Sequence, residues 1–123
     1  MAEVKRVPEW IMLEALRNNV LNLYLEKSDG TYVGVIGVDP ADFAITTQDY
    51  EPVLRLYIPQ TLEVGVGDTI MAIVLNIDDT DAPAAYDADD DEIRFPIGGV
   101  DGEYFPDGGS IDVTEFEVYL NDL

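Results

Sequence analysis

The chain has no cysteine and no histidine. The first absence excludes disulfides, thiolate metal sites and thiol nucleophiles. The second leaves Ser28, Ser110 and the threonines without an imidazole to activate them as nucleophiles. Basic residues are scarce, six against 26 acidic ones, for a net charge of −20. Binding a phosphate backbone needs a basic stripe, so nucleic acid is excluded as a partner, and an anionic membrane surface is excluded on the same grounds. Long apolar runs are missing too. The longest, Ile70 to Leu75, is too short to span a bilayer, and Pro8, Glu9 and Glu14 interrupt the stretch a signal peptide would need. These absences predict an unprocessed chain without a signal peptide.

What is present is a core. Hydrophobic residues make up 47% of the 123 positions and mean hydropathy is +0.01, which separates the chain from disordered acidic tails of low hydrophobicity. The length suits one domain. Charge is unevenly placed. Up to residue 27, Lys5, Arg6, Arg17 and Lys27 balance Glu3, Glu9, Glu14 and Glu26; beyond it only Arg55 and Arg94 face the remaining 22 of the 26 acids. Such a field repels copies of the chain from one another, and salt relieves it. Two lysines and four arginines against sixteen aspartates is a skew typical of proteins that work in brine, so a halophilic source is expected, with an ordinary acidic protein as the alternative.

Pro8 suits the first turn of a helix reaching about Asn18, with Trp10, Ile11, Leu13, Ala15 and Leu16 among polar residues. From Val20, Leu21, Leu23 and Leu25 alternate at period two and predict a strand, which turns at Ser28-Asp29-Gly30 and returns through Tyr32–Val38. Asp39 to Glu51 reads as a loop. Pro52 opens a strand with Leu54, Leu56 and Ile58 on one face. Ile70–Ile77 is apolar on both faces, so it is expected either to be central in a sandwich or to have its outer face covered by a helix or another subunit. Glu92–Ile97 and Ile111–Leu120 read as further strands; the apolar parity changes between Val113 and Phe116, for which a bulge near Thr114 and Glu115 is expected. The fold predicted is mainly β, a compact antiparallel β-sandwich with one short N-terminal helix. Residues 1–19 form an arm and helix, and residues 20–123 a single domain carrying an acidic loop, 78–92.

Chemistry is harder to place. Asp87, Asp89 and Asp91, with Asp90 and Glu92, are oxygen ligands of the kind Ca²⁺ prefers. Counted from Asp87, however, the sixth position is Glu92 where an EF-hand needs Gly, and the twelfth is Gly98 where it needs Glu. The run therefore reads as solvated surface, with Ca²⁺ as the minority alternative and no cofactor otherwise expected. Gly65-Val66-Gly67 and Gly108-Gly109 lack the following helix and lysine of a phosphate loop and read as turns.

Four stretches in order carry a resemblance: the helix Trp10-Ile11-Met12-Leu13-Glu14-Ala15-Leu16, the strand Leu21-Asn22-Leu23-Tyr24-Leu25, the interior Val64-Gly65-Val66-Gly67-Asp68-Thr69-Ile70 and the terminal Gly108-Gly109-Ser110-Ile111-Asp112-Val113. Together they resemble small virion proteins of tailed viruses, the subunits of tail, fibre or capsid decoration. The chain departs from them in its acidic 78–92 loop and in lacking a mid-chain aromatic-Gly-Arg stretch. The resemblance implies a non-enzymatic structural subunit, located in the virion, whose partners are copies of itself and other virion proteins. The charge-balanced N-terminus supplies the expected interface: Lys5, Arg6 and Arg17 toward a partner's carboxylates, and Trp10, Ile11 and Leu13 as apolar anchors. The competing readings are a Ca²⁺-dependent or carbohydrate-binding β-module and, behind it, a small carboxylate-dependent hydrolase. A further alternative for the helix is that it caps its own domain and buries Leu13 and Leu16 there.

Overall fold

Proline near an N-terminus and arginine near a C-terminus frame the single α-helix of the described residues, α1, Val7–Arg17. A computed structural model of the chain describes residues 7–77, 92–114 and 116–119. Glu9 in the first turn and Arg17 in the last complement the helix dipole. Asn19 ends the helix by donating its side-chain amide to the Ala15 carbonyl at 2.7 Å.

Among the described residues ten strands follow: β1 Val20–Lys27, β2 Tyr32–Gly37, β3 Phe43–Gln48, β4 Glu51–Leu56, β5 Gln60–Val64, β6 Asp68–Ile77, β7 Glu92–Pro96, β8 Glu103–Phe105, β9 Gly109–Val113 and β10 Glu117–Val118. All pairings are antiparallel. The largest sheet has the order β2-β1-β6-β7, with β8 also paired to β6. Strands β7 and β8 share one edge of the long β6, at Ala72–Asn76 and Asp68–Ile70 respectively. A second sheet runs β10-β4-β3 and a third β5-β9. One apolar core draws on all three sheets and the helix, through Leu13, Leu23, Leu54, Leu62, Leu75 and Val118 among others. The chain is thus mainly β with one N-terminal helix, its sheets sharing a core in sandwich-like fashion.

Three bulges explain how irregular apolar spacing still feeds that core. In β1, Val20 pairs with Ile77 and Asn22 with Asn76, so Leu21 is an extra residue; Val20, Leu23 and Leu25 are buried while Leu21 is exposed. The Leu21-Leu23-Leu25 stripe read from the sequence is corrected accordingly. In β2, two residues, Gly34 and Val35, separate Val33 from Ile36 where β1 has one, and both Val33 and Ile36 pack on the core. In β6, Met71 is the extra residue that lets Ile70 face inward together with Ile73 and Leu75. A one-residue slip reverses the faces of a strand, and each bulge undoes such a slip.

Other expectations change as well. The segment read as a loop contains β3, which pairs with β4 from Phe43↔Leu56 to Gln48↔Glu51. It escaped notice because its two-residue turn is Asp49-Tyr50 with no glycine, although both adopt positive φ, 51° and 66°. Ile58 lies beyond β4 and is exposed. The parity change near the C-terminus involves no bulge between one pair of strands. Instead β9 pairs with β5 and β10 with β4, so the chain changes sheets between them, and Val113, Phe116 and Val118 all reach the core.

Candidate functional site

The N-terminal residues expected at an interface separate into two groups. Leu13 is 0% exposed and belongs to the core, and Leu16 packs on it. These side chains hold α1 against β3 and β4, as expected of a helix that caps its own domain, and Leu13 is unavailable to a partner. Trp10, Ile11 and Met12 point outward, at 36%, 58% and 58% exposure. Arg17 is half-buried, and its Nε is buried with no hydrogen-bond partner. Lys5 and Arg6 lie outside the described residues, as do Asp87, Asp89 and Asp91 of the acidic loop. Glu92, read both as the last residue of that loop and as the first of a strand, is the first residue of β7, paired with Asn76. Among the described residues no group of three or more carboxylates is placed to hold a metal ion, and no helix is long and apolar enough to cross a membrane.

The remaining cations are engaged within the fold. Lys27 lies 3.3 Å from Asp68, Arg55 2.8 Å from Glu117, and Arg94 2.9 Å from Glu26.

Strand β6 is central in its sheet, between β1 and β7, the first of the two alternatives for its two apolar faces. Tyr24, Ala72 and Val74 form a small buried cluster on the outer face, with Ala72 and Val74 at 0% exposure in the single chain. Their shield is made of neighbouring side chains. Arg94 on β7 donates from Nε and Nη2 to the two carboxylate oxygens of Glu26 on β1, each at 2.9 Å, so the pair spans β6. Tyr24 and Tyr32 stack at a tilt, ring centroids 4.4 Å apart. Both hydroxyls donate to the same Glu92 oxygen, at 2.7 and 3.2 Å. Burial first, and then the bond to Glu92, raise the Tyr24 pKa far above the usual phenol value. The Glu92 charge raises Tyr32 as well, followed by desolvation.

A cleft of about 450 Å³ opens where β9 hands over to β10. Its floor is Ile73, Phe95, Val113 and Phe116, and its rim Asp112, Thr114 and Glu117. Ile73 and Phe95 meet by direct pairing of β6 and β7, and Phe95 contacts Phe116 with centroids 4.4 Å apart. Asp112 accepts a hydrogen bond from the Thr61 hydroxyl at 2.8 Å. Glu117 accepts from Arg55 at 2.8 Å and from the Tyr119 hydroxyl at 3.3 Å. An apolar floor with an acidic rim suits an apolar group that carries a positive charge. Sequence reasoning missed the cleft because its residues come from β6, β7, β9 and β10 and share no motif. Comparison of the chain with protein-family models, curated proteins and solved structures finds no match.

Proposed function

We propose that this chain is a non-enzymatic structural subunit that assembles through its N-terminal helix, of the kind that builds the tail, fibre or capsid decoration of a tailed virus. The observation that carries the reading is the seating of α1. Leu13 and Leu16 fix the helix to the domain, while the successive residues Trp10, Ile11 and Met12, spread around the rest of the helix, stay exposed. A helix held rigidly in this way presents side chains at little ordering cost, and buried aromatic anchors tend to dominate interface energy. These residues also belong to the N-terminal stretch whose charges cancel, residues 1–27, in a chain whose whole excess of acid lies beyond it. A like-charged copy approaching there meets less repulsion than at any acidic face.

The order of helix, hairpin and Gly-rich turns that resembles virion subunits supports the particular kind of assembly proposed. Replacing Trp10 and Ile11 together with serine tests the reading. The expected result is a folded monomer, identified by an unchanged circular-dichroism spectrum and a sedimentation coefficient that no longer rises with concentration. A variant that assembles like the wild type would overturn it.

A further inference from the structure

We propose that the cleft at the β9–β10 crossing is the receiving half of this interface, and that it takes residues 4–7, Val4-Lys5-Arg6-Val7, of a second copy of the chain. The proposal rests on the assembly reading above and identifies the surface on which the neighbour docks.

The argument begins with the cleft's chemistry. Four apolar side chains, two of them phenylalanines in contact, floor a space of about 450 Å³, enough for one or two aliphatic side chains. Asp112 stands at the rim with a neutral hydroxyl as its hydrogen-bond donor, so its negative charge is not cancelled by that contact. A cation placed there would meet a carboxylate, which attracts it, while its apolar stem or neighbours would meet the apolar floor. Glu117 adds a second carboxylate, already bonded to Arg55.

The occupant follows from the chain's own charges. Adjacent basic residues occur once in 123 positions, at Lys5-Arg6, and valines flank them on both sides. Lys27, Arg55 and Arg94 are held by Asp68, Glu117 and Glu26 of their own domain. The basic pair and its valines therefore match an apolar cleft with an acidic rim, and no other segment of the chain combines these features. A second copy is the source on the assembly reading above, which carries the N-terminus of one copy onto the surface of the next, while α1, into which the segment leads, rests on β3 and β4 of its own domain. Joining two different patches on identical subunits is a heterologous contact, which extends into rings or filaments.

Charge exchange in the full-length chain tests this. Lys5→Glu/Arg6→Glu places acid against acid, and Asp112→Lys places base against base, so each variant alone is expected to sediment as a folded monomer. Mixed, they restore opposite charges at every contact and are expected to associate. Asp112→Asn, a milder change at an exposed strand position, should weaken self-association at least about tenfold. If both charge variants assemble like the wild type, the cleft is not the receiving surface, although assembly through the helix would stand. If each variant is monomeric but their mixture does not associate, the segment docks within its own chain and the proposal is wrong. A wild type that never assembles would overturn both this proposal and the reading on which it rests.

Discussion

Arg94 and Glu26 meet across the middle of β6 in a two-pronged ion pair, both N–H···O distances 2.9 Å, beside the fully buried Ala72 and Val74. The pair does two things at once, since the arginine stem covers apolar surface while its head neutralises a carboxylate. The guanidinium side is 43% exposed, which limits the value of the charge itself. Covering matters more. Arg94→Ala is expected to destabilise the fold by about 1 kcal/mol, whereas Arg94→Met, which keeps a stem without a charge, should cost less than half as much. Urea titration of the two variants distinguishes these outcomes, and equal losses would show that the charge dominates.

Tyr24 makes stability depend on alkaline pH. Its folded pKa is raised, by burial first and then by Glu92, above the unfolded value of 10.0. A raised pKa contributes stability that is complete below the unfolded value and is lost as pH climbs toward the folded one. Unfolding free energy should therefore fall above about pH 10, by at most about 1.4 kcal/mol per pH unit from this group. Tyr24→Phe should lose the Glu92 bond, at about 1 kcal/mol, and flatten that part of the profile. A wild type and variant with parallel profiles from pH 9 to 11 would refute the assignment.

Gly34 lies where β2 packs against β5 of another sheet. It sits in the β2 bulge at φ 66°, where an added Cβ would lie 2.7 Å from the Glu63 carbonyl oxygen of β5. Both the backbone angle and the clash oppose any side chain. Gly34→Ala should cost about 2–4 kcal/mol and lower the melting temperature accordingly. A loss under about 0.5 kcal/mol would mean that β5 moves aside freely.

Tyr50 is the converse case. It holds φ 66° at the β3–β4 turn with its side chain 89% exposed, so it carries backbone strain with little packing in return. Tyr50→Gly should stabilise the domain by about 1 kcal/mol. Thermal melts decide the sign.

These residues also mark what the sequence made legible. Pro8 and the Ser28-Asp29-Gly30 turn announce α1 and the β1–β2 hairpin because local chemistry decides both. The bulges at Leu21, Gly34 and Met71 are less visible, since an extra residue changes which side chain faces inward without changing composition. Strand β3 was hidden by a turn whose residues bear side chains at positive φ, a conformation imposed by pairing across the hairpin. At the candidate interface, the charge balance of the N-terminus was legible, and so was the apolar character of Trp10 and Ile11. That Leu13 turns inward was visible only as one of two alternatives, because Leu13 and Ile11 are equally apolar and only the direction of the helix distinguishes them. The cleft depended wholly on tertiary register, which brings Ile73, Phe95 and Phe116 together from distant positions.

The central claim is that the chain assembles through its N-terminal helix, and sedimentation equilibrium of the wild-type protein from dilute buffer to molar KCl tests it most directly. With a net charge of −20, copies repel one another at low salt, and added salt screens that repulsion while leaving apolar contact at Trp10, Ile11 and Met12 in place. The account predicts a mass that rises with protein concentration and rises further in KCl, and that stays at 13.6 kDa when Trp10 and Ile11 are replaced by serine. A wild-type mass of one chain at every salt and protein concentration would contradict it.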